Sequence, residues 1–529
     1  MRDPALARQN LADLLRRTAR RTPHKPAIRC GAVQWTYAEF DALCARLAAG
    51  LAQHGVGPGE RIAILARNSH AFAALRFALP QLGAVLVPVN FMLNAGEIAY
   101  ILRHAGATLL CVDHEFLETG RAACALDTAV KALIGLPSEA DAGTPPGCLS
   151  FDALAACDTP AELTPAGADD LAQIIYTSGT ESLPKGAMLT HSAIIWQYVS
   201  CIVDGEISEH DTLLHAMPLF HCAQLDVFLG PGIYVGASHV ITSRPAPEQV
   251  LPRLAAHAVN SFFAPPSVWI GLMRSPLFAA TDLAHLRKGY YGASIMPVEV
   301  LLELQGLLPG VRLWNFYGQT EIAPLATVLK PEDQLRRAGS AGRAVLNVET
   351  RVVRDDGTPV GVGEIGEIVH RSPQLLTGYF HDAERTAQAF EGGWFHSGDL
   401  ATLDADGYIT VVDRKKDMIK TGGENVASRE VEEAIYRLPG VSEVAVVGIS
   451  HPHWIEAVTA IVVKKSDATL AEAQVLEFCR GALAHFKIPK RVVFVDSLPK
   501  NPSGKLLKRE LRERYQTLYQ AAGAGADPT

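Results

Sequence analysis

Short, largely apolar runs alternate with stretches of helical periodicity through much of this chain. Residues 61–66 (RIAILA), 85–89 (VLVPV) and 108–112 (TLLCV) read as strands, and helical patterns such as 38–54 lie between them. Such alternation predicts an α/β architecture with largely parallel sheets. Past about residue 345 the texture changes. Residues 350–353 and 364–370 read as strands joined by the turn Asp355-Asp356-Gly357, which predicts a small β subdomain. After Arg414 come a helix at 428–438, strands at 441–449 and 458–463, a helix at 470–484 and a strand at 492–495, enough for a compact α+β unit. At 529 residues the chain is too long for one hydrophobic core, so two to four domains or subdomains are expected. The small, polar tail 521–529 is expected to be disordered.

Composition excludes several classes. The chain is 48% hydrophobic and 20% charged, ordinary values for a folded protein, and its net charge of -8 gives no reason to expect nucleic acid. Nine scattered cysteines without a CxxC pair fit reduced thiols in a cytoplasm better than a disulfide framework. No window approaches the roughly 18 apolar residues of a membrane helix. The composition leaves room for peripheral membrane contact and for a homodimer. Residues 1–21 are Arg-rich, but Asp3 and Asp13 interrupt them, and Leu11, Leu14 and Leu15 form one apolar face. An ordinary surface helix is expected there in preference to a targeting signal.

Residues 171–191, LAQIIYTSGTESLPKGAMLTH, carry the strongest chemical signal. A buried strand runs directly into Thr177, Ser178, Gly179 and Thr180, followed by Pro184, Lys185 and Gly186. Hydroxyls, flexible backbone N–H groups and one ammonium are the groups that hold a polyphosphate. The loop is not a Walker A motif, because Pro184 precedes the lysine and Gly186 follows it.

With these residues the chain resembles the AMP-forming acyl-CoA synthetase and adenylating-enzyme superfamily, in its fatty-acid or aryl-acid CoA ligase branch. The resemblance covers nearly the whole chain, and further motifs follow in family order. These are Gly292-Ala293-Ser294, Tyr317-Gly318-Gln319-Thr320-Glu321, the segment 394–426 (WFHSGDLATLDADGYITVVDRKKDMIKTGGENV) and the segment 498–505 (LPKNPSGK). The fold it implies is a large N-terminal domain, residues 1–415, of two mixed α/β subdomains plus a small β subdomain. A small mobile α+β C-terminal domain, residues 416–529, completes it. The implied reaction makes an acyl-adenylate from ATP and a carboxylic acid, then acyl-CoA, with ATP, Mg²⁺ and coenzyme A as cofactors and co-substrates.

The resemblance also implies roles. Glu321, with Thr177, would hold Mg²⁺ against the phosphates, and Thr320 would lie beside the α-phosphate. Gly292, Ala293 and Ser294 would form the adenine-binding strand end, with Tyr317 stacked on the base beside Gly318 and Gln319. Asp399 and Arg414 would meet the ribose, a task suited to a carboxylate acceptor. Lys505 would be the adenylation lysine, and Lys416 the hinge about which Lys420, Gly422 and Gly423 swing in for the thiol step. The acyl pocket would lie near His221, between Phe263 and Trp269, with Tyr291 and Gly292 as another wall. Nearby Cys222, Ala223, Leu225, Phe228, Leu229 and Gly230 are mostly apolar, and Pro88-Val89-Asn90-Phe91 also resembles ligases for fatty and aryl acids. A medium- to long-chain fatty acid is the expected substrate, with an aromatic acid as the alternative.

One departure stands out. Where the family loop commonly reads TSGTTG, this chain has Glu181 and Ser182 after Thr180. A carboxylate near the β- and γ-phosphates repels them unless a cation intervenes. The competing readings are an adenylating enzyme that loads a carrier protein, and a non-catalytic binding protein with a decayed site. Two patterns are set aside. Gly361-Val362-Gly363-Glu364-Ile365-Gly366 spells GxGxxG but joins two strands with no helix after it, so it reads as a turn. His451 and His453 lack a third metal ligand.

Overall fold

The computed structural model describes residues 9–140, 143–158, 163–177, 184–294, 296–466, 468–501 and 504–519. The tail 521–529 lies outside them. Among the described residues the strands form four sheets. The eight-stranded sheet runs in the order Gly378–Tyr379, Lys185–Thr190, Leu171–Thr177, Val85–Pro88, Arg61–Leu65, Leu109–Val112, Ala132–Gly135, Leu149–Ser150. Its central members pair in parallel and are apolar on both faces, as strands covered from both sides must be. The nine-stranded sheet is built on the parallel set Ser238–Ile241, Thr212–His215, Ser261–Phe263, Lys288–Gly292 and Arg312–Gly318. A four-stranded antiparallel sheet follows, made of Glu349–Val353, Gly366–Arg371, Phe395–Leu403 and Ile409–Arg414. The last sheet has five strands and lies wholly within residues 419–494.

The helices follow their local signals. Tyr37–Gln53 starts in a reciprocal cap between Thr36 and Glu39. Leu11–Arg21 starts in the same way at Asn10 and Asp13, and buries Leu11, Leu14 and Leu15 completely. It is tied down further where the Asn10 amide donates to Ala166 O and the Thr18 hydroxyl to Tyr234 O, both at 2.8 Å. Residues 361–365 are an exposed loop between Glu349–Val353 and Gly366–Arg371, with Gly363 at a φ of +78° and Gly366 buried at the start of the second strand. His451 Nδ1 accepts from the backbone of His453 and Trp454, which makes the His pair a local turn. No group of three or more metal-binding side chains occurs among the described residues. All nine cysteines are free thiols, and among the described residues no helix is long and apolar enough to cross a membrane.

Candidate active site

A cavity of about 760 Å³ opens among the strand ends of the first three sheets. Thr177, Gly292 and Gly318 each end a strand there, at the carboxyl edge where α/β sheets bind their ligands. Lys185, Thr320, Glu321, Asp399, Arg414, Lys416 and Lys505 line the same space. Ser178, Gly179 and Thr180, with Glu181 and Ser182, lie outside the described residues.

The nucleotide side is rigid. At Gly292 a Cβ would stand 2.3 Å from Phe316 O, so only glycine lets the two strands close up. Ala293 then turns the chain out of the strand at a φ of +62°. The Tyr317 hydroxyl donates to Asp399 Oδ2 at 2.7 Å, and Arg414 Nε stands 3.5 Å from Asp399 Oδ1. Asp399 and Arg414 are cross-strand partners, so the hairpin register itself presents a carboxylate beside a guanidinium. Burial, followed by the Asp399 carboxylate, holds the Tyr317 phenol well above its ordinary pKa and keeps it a neutral donor.

Glu321 is held from a direction the sequence did not announce. Tyr379 comes in on the two-residue edge strand Gly378–Tyr379 and donates its hydroxyl to Glu321 Oε1 at 3.0 Å. The Lys185 ammonium sits 4.9 Å from the centre of the Tyr379 ring. His221 Nδ1 accepts from the Ala223 backbone N–H at 3.1 Å, which leaves the proton of the neutral ring on Nε2. Burial, then the nearby Lys505, pushes its pKa down to about 4.

Lys505 enters on a loop held by one hydrogen bond within it and one to Ser267. Its backbone N–H donates to Asn501 Oδ1 at 2.8 Å, and Gly504 O accepts from the Ser267 hydroxyl at 3.1 Å. A Cβ on Gly504 would come within 2.5 Å of Pro265. Burial, then the charge of Arg414, lowers the Lys505 pKa to about 7, against the opposing pull of Asp399.

The apolar end of the cavity is lined by Ala223, Val227, Phe228, Phe263, Phe316 and Leu325. Phe228 and Phe263 of this lining belong to a floor of packed rings. Phe228 stacks on Phe263 at 4.7 Å between centroids, and Tyr290 stacks on Trp314 at 5.0 Å and meets Phe228 at 5.0 Å. Tyr290 locks this floor by donating its hydroxyl to Gly205 O at 2.7 Å.

Several expected positions fall elsewhere. Tyr291 is not a cavity wall: side chains alternate along a strand, so with Gly292 on the cavity face Tyr291 points away and donates to Gln334 at 2.7 Å. Trp269 is also core, 1% exposed, with its indole N–H on Tyr290 O. A π-helical turn over Leu225–Leu229 sends Leu225 and Leu229 into the core and presents Val227 and Phe228 to the cavity. Gly230 packs against Tyr198, with no room for a Cβ. Ser294 stands just outside the lining. Lys420, Gly422 and Gly423 are outside the cavity as well. Lys420 N–H donates to Glu456 at 2.7 Å, and Gly422 lies over the Trp454 ring. Lys505, not the Lys420 face, is the one brought to the strand ends.

Comparison with known proteins gives the family. Residues 15–380 match the AMP-binding enzyme model, and residues 430–505 match the AMP-binding enzyme C-terminal domain. A feruloyl-CoA synthase from an Amycolatopsis species is 38% identical over 500 residues, covering 94% of this chain and 98% of its own. The long-chain-fatty-acid–CoA ligase FadD13 of Mycobacterium tuberculosis is 36% identical over 493 residues, covering 91% of this chain and 93% of its own. The crystal structure of the anthranilate CoA ligase AuaEII in complex with anthranoyl-AMP superposes with a TM-score of 0.90 at 27% identity, covering 97% of this chain and 98% of that one. The chain belongs to the AMP-binding enzyme family, and it is an AMP-forming acyl-CoA ligase.

Proposed function

We propose that this ligase activates a compact aryl acid, first as its adenylate and then as its CoA thioester, using two poses of a C-terminal domain that begins at Lys416. The observation that carries the reading is the meeting of Lys505 with Asp399 and Arg414 in a cavity whose far end is apolar. In the first pose the Lys505 ammonium bridges the acid and the α-phosphate, where negative charge grows as the adenylate forms. Asp399 and Arg414 fix the ribose, and Tyr317 stacks on adenine while steadying Asp399. Thr177, Lys185 and Thr320 hold phosphate oxygens. His221 borders the acid and excludes water. Rotation about Lys416 then withdraws Lys505 and presents Lys420, Gly422 and Gly423 to the pantetheine thiol.

A divalent cation fits the site. Glu321 and Thr177 offer a carboxylate and a hydroxyl, oxygen donors of the kind Mg²⁺ prefers, and the phosphates would supply the rest. When bound, Mg²⁺ neutralises charge on the phosphates.

The aryl preference replaces the fatty-acid expectation for a physical reason. The ring floor of Phe228, Phe263, Tyr290 and Trp314 closes the apolar end, and the same 760 Å³ must also take the nucleotide. A flat, short tail fits such an end better than an extended chain. Feruloyl-CoA synthase and the anthranilate ligase carry aromatic acids in their names, and FadD13 a long-chain fatty acid. The free thiols support a cytoplasmic setting.

The test is pyrophosphate release with ATP and Mg²⁺ across aryl and C8–C16 acids, with and without CoA. Acid-dependent release, with thioester only when CoA is present and highest kcat/KM on aryl acids, is the expected result. Release without thioester points to a carrier-protein acceptor, and a preference for C12–C16 acids overturns the aryl assignment.

A further inference from the structure

The strand Ile409–Arg414 ends just before Lys416, and the helix Ser428–Tyr436 begins beyond it. That helix has Ala427 at its N-cap position, with no side-chain hydrogen bond of its own. It is capped from across the junction. Asp413 Oδ2 accepts from the Ser428 backbone N–H and from the Ser428 hydroxyl, each at 2.7 Å, while Oδ1 accepts from Arg414 N–H at 2.8 Å. A carboxylate at this end also faces the positive pole of the helix. The contact is dry, with Asp413 7% exposed and Ser428 0%.

A second link joins this contact to the catalytic loop. The Lys508 ammonium donates to the same Ser428 hydroxyl and pairs with Glu432 at 2.8 Å. Burial works against that charge, but Glu432 and Asp413 more than offset it and raise its pKa above the ordinary lysine value. Lys508 opens the helix Lys508–Tyr515, one turn after Lys505. Contacts therefore run from Asp413 through Ser428 and Lys508 to the loop that carries Lys505. Arg429 fastens the same seam, donating to Gly339 O at 2.8 Å and to Val411 O, while Arg512 with Asp417, at 2.6 Å, ties the Lys508–Tyr515 helix to the start of the C-terminal side.

We propose that Asp413 is a positioning residue for adenylation: by capping Ser428–Tyr436 across the Lys416 junction, it latches the pose in which Lys505 occupies the cavity. This rests on the two-pose reading above. Rotation about Lys416 draws Ser428 away from Asp413, which leaves a helix uncapped and a carboxylate without its partners. Groups in dry surroundings give up such hydrogen bonds at a cost, so the latch weights the free enzyme toward adenylation.

Asp413→Asn and Ser428→Ala test this, each read in two half-reactions. One is acid-dependent exchange of pyrophosphate into ATP. The other is single-turnover transfer from preformed acyl-adenylate to CoA. Exchange is expected to fall about tenfold, or about 1.4 kcal/mol, with transfer unchanged or faster and the unfolding midpoint near the parent's. Equal losses in both half-reactions overturn the proposal, because general damage to the fold does that, and so does no loss in either. Lys505→Met in the same assays tests the reading beneath. If Lys505→Met exchanges pyrophosphate normally, the two-pose reading falls. If it loses exchange while Asp413→Asn keeps it, only the latch falls.

Discussion

Replacing Lys505 with methionine is expected to slow adenylation by roughly 100- to 1000-fold while leaving the protein folded, the size of effect seen when one preorganised charge is removed from a developing anion. Folding should survive because the surroundings of Lys505 disfavour its charge: burial and Arg414 together bring its pKa to about 7. Methionine fills the same space without that conflict. Transfer of a preformed adenylate to CoA should be intact, since on the two-pose reading Lys505 has left the cavity by then. Full pyrophosphate exchange by this variant would remove Lys505 from its assigned role.

The same residue gives a pH signature whose sign is fixed. In the ligand-free cavity Lys505 is mostly charged below pH 7 and mostly neutral above it, starting from an ordinary value of 10.5. ATP binds the charged form better. The affinity of the parent for ATP, with Mg²⁺ saturating, should therefore fall as pH climbs from 7 toward 9, and Lys505→Met should show no such decline. Docking of the ligand-free loop has the opposite sign. The undocked lysine binds more protons between about pH 7 and 10.5, so docking tightens as pH rises through that window. Isothermal titration of ATP into both proteins across this range measures the first effect directly.

The second large effect is expected at the floor of the apolar end. Phe228 is 2% exposed and sandwiched between Phe263 and Phe316, at 4.7 and 5.9 Å between centroids. Phe228→Ala opens that floor. Emptying a buried aromatic site costs about 3–5 kcal/mol of stability. It should also move the ratio of kcat/KM for aryl over C10–C12 acids toward the longer chains by about 10- to 100-fold, the scale on which apolar pockets discriminate size. An unchanged ratio in a folded variant would mean that Phe228 does not set the reach of the cavity.

The sequence disclosed those parts of the molecule whose cause is local. Apolar runs such as 61–66 became strands because they must be covered on both faces, and Tyr37–Gln53 became a helix behind the Thr36–Glu39 cap. Thr177, Gly292, Glu321, Asp399 and Lys505 were legible because each sits in a short motif, and the fold brings all five to one cavity. What stayed hidden depends on register and on distant chain. Tyr291 and Trp269 look like pocket residues on paper, yet the strand phase that presents Gly292 turns Tyr291 outward, and Trp269 packs into the core. Tyr379 reaches Glu321 only because a two-residue edge strand pairs with Lys185–Thr190. Nothing in the sequence singles out Asp413, since its partners arrive from the far side of the junction.

The seat of Gly504 has a further consequence. It rests on Pro265 and Ser267, and Phe263, a wall of the acid's compartment, stands two residues earlier in the chain. An acid that pushed Phe263 back would shift the surface on which Gly504 lands, where even a Cβ would come within 2.5 Å of Pro265. On the two-pose reading, substrate size would be gauged at the moment of closing, like a box whose catch engages only when the contents lie flat. Acids somewhat too long should bind yet fail to react, and would be recognised as competitive inhibitors that release no pyrophosphate.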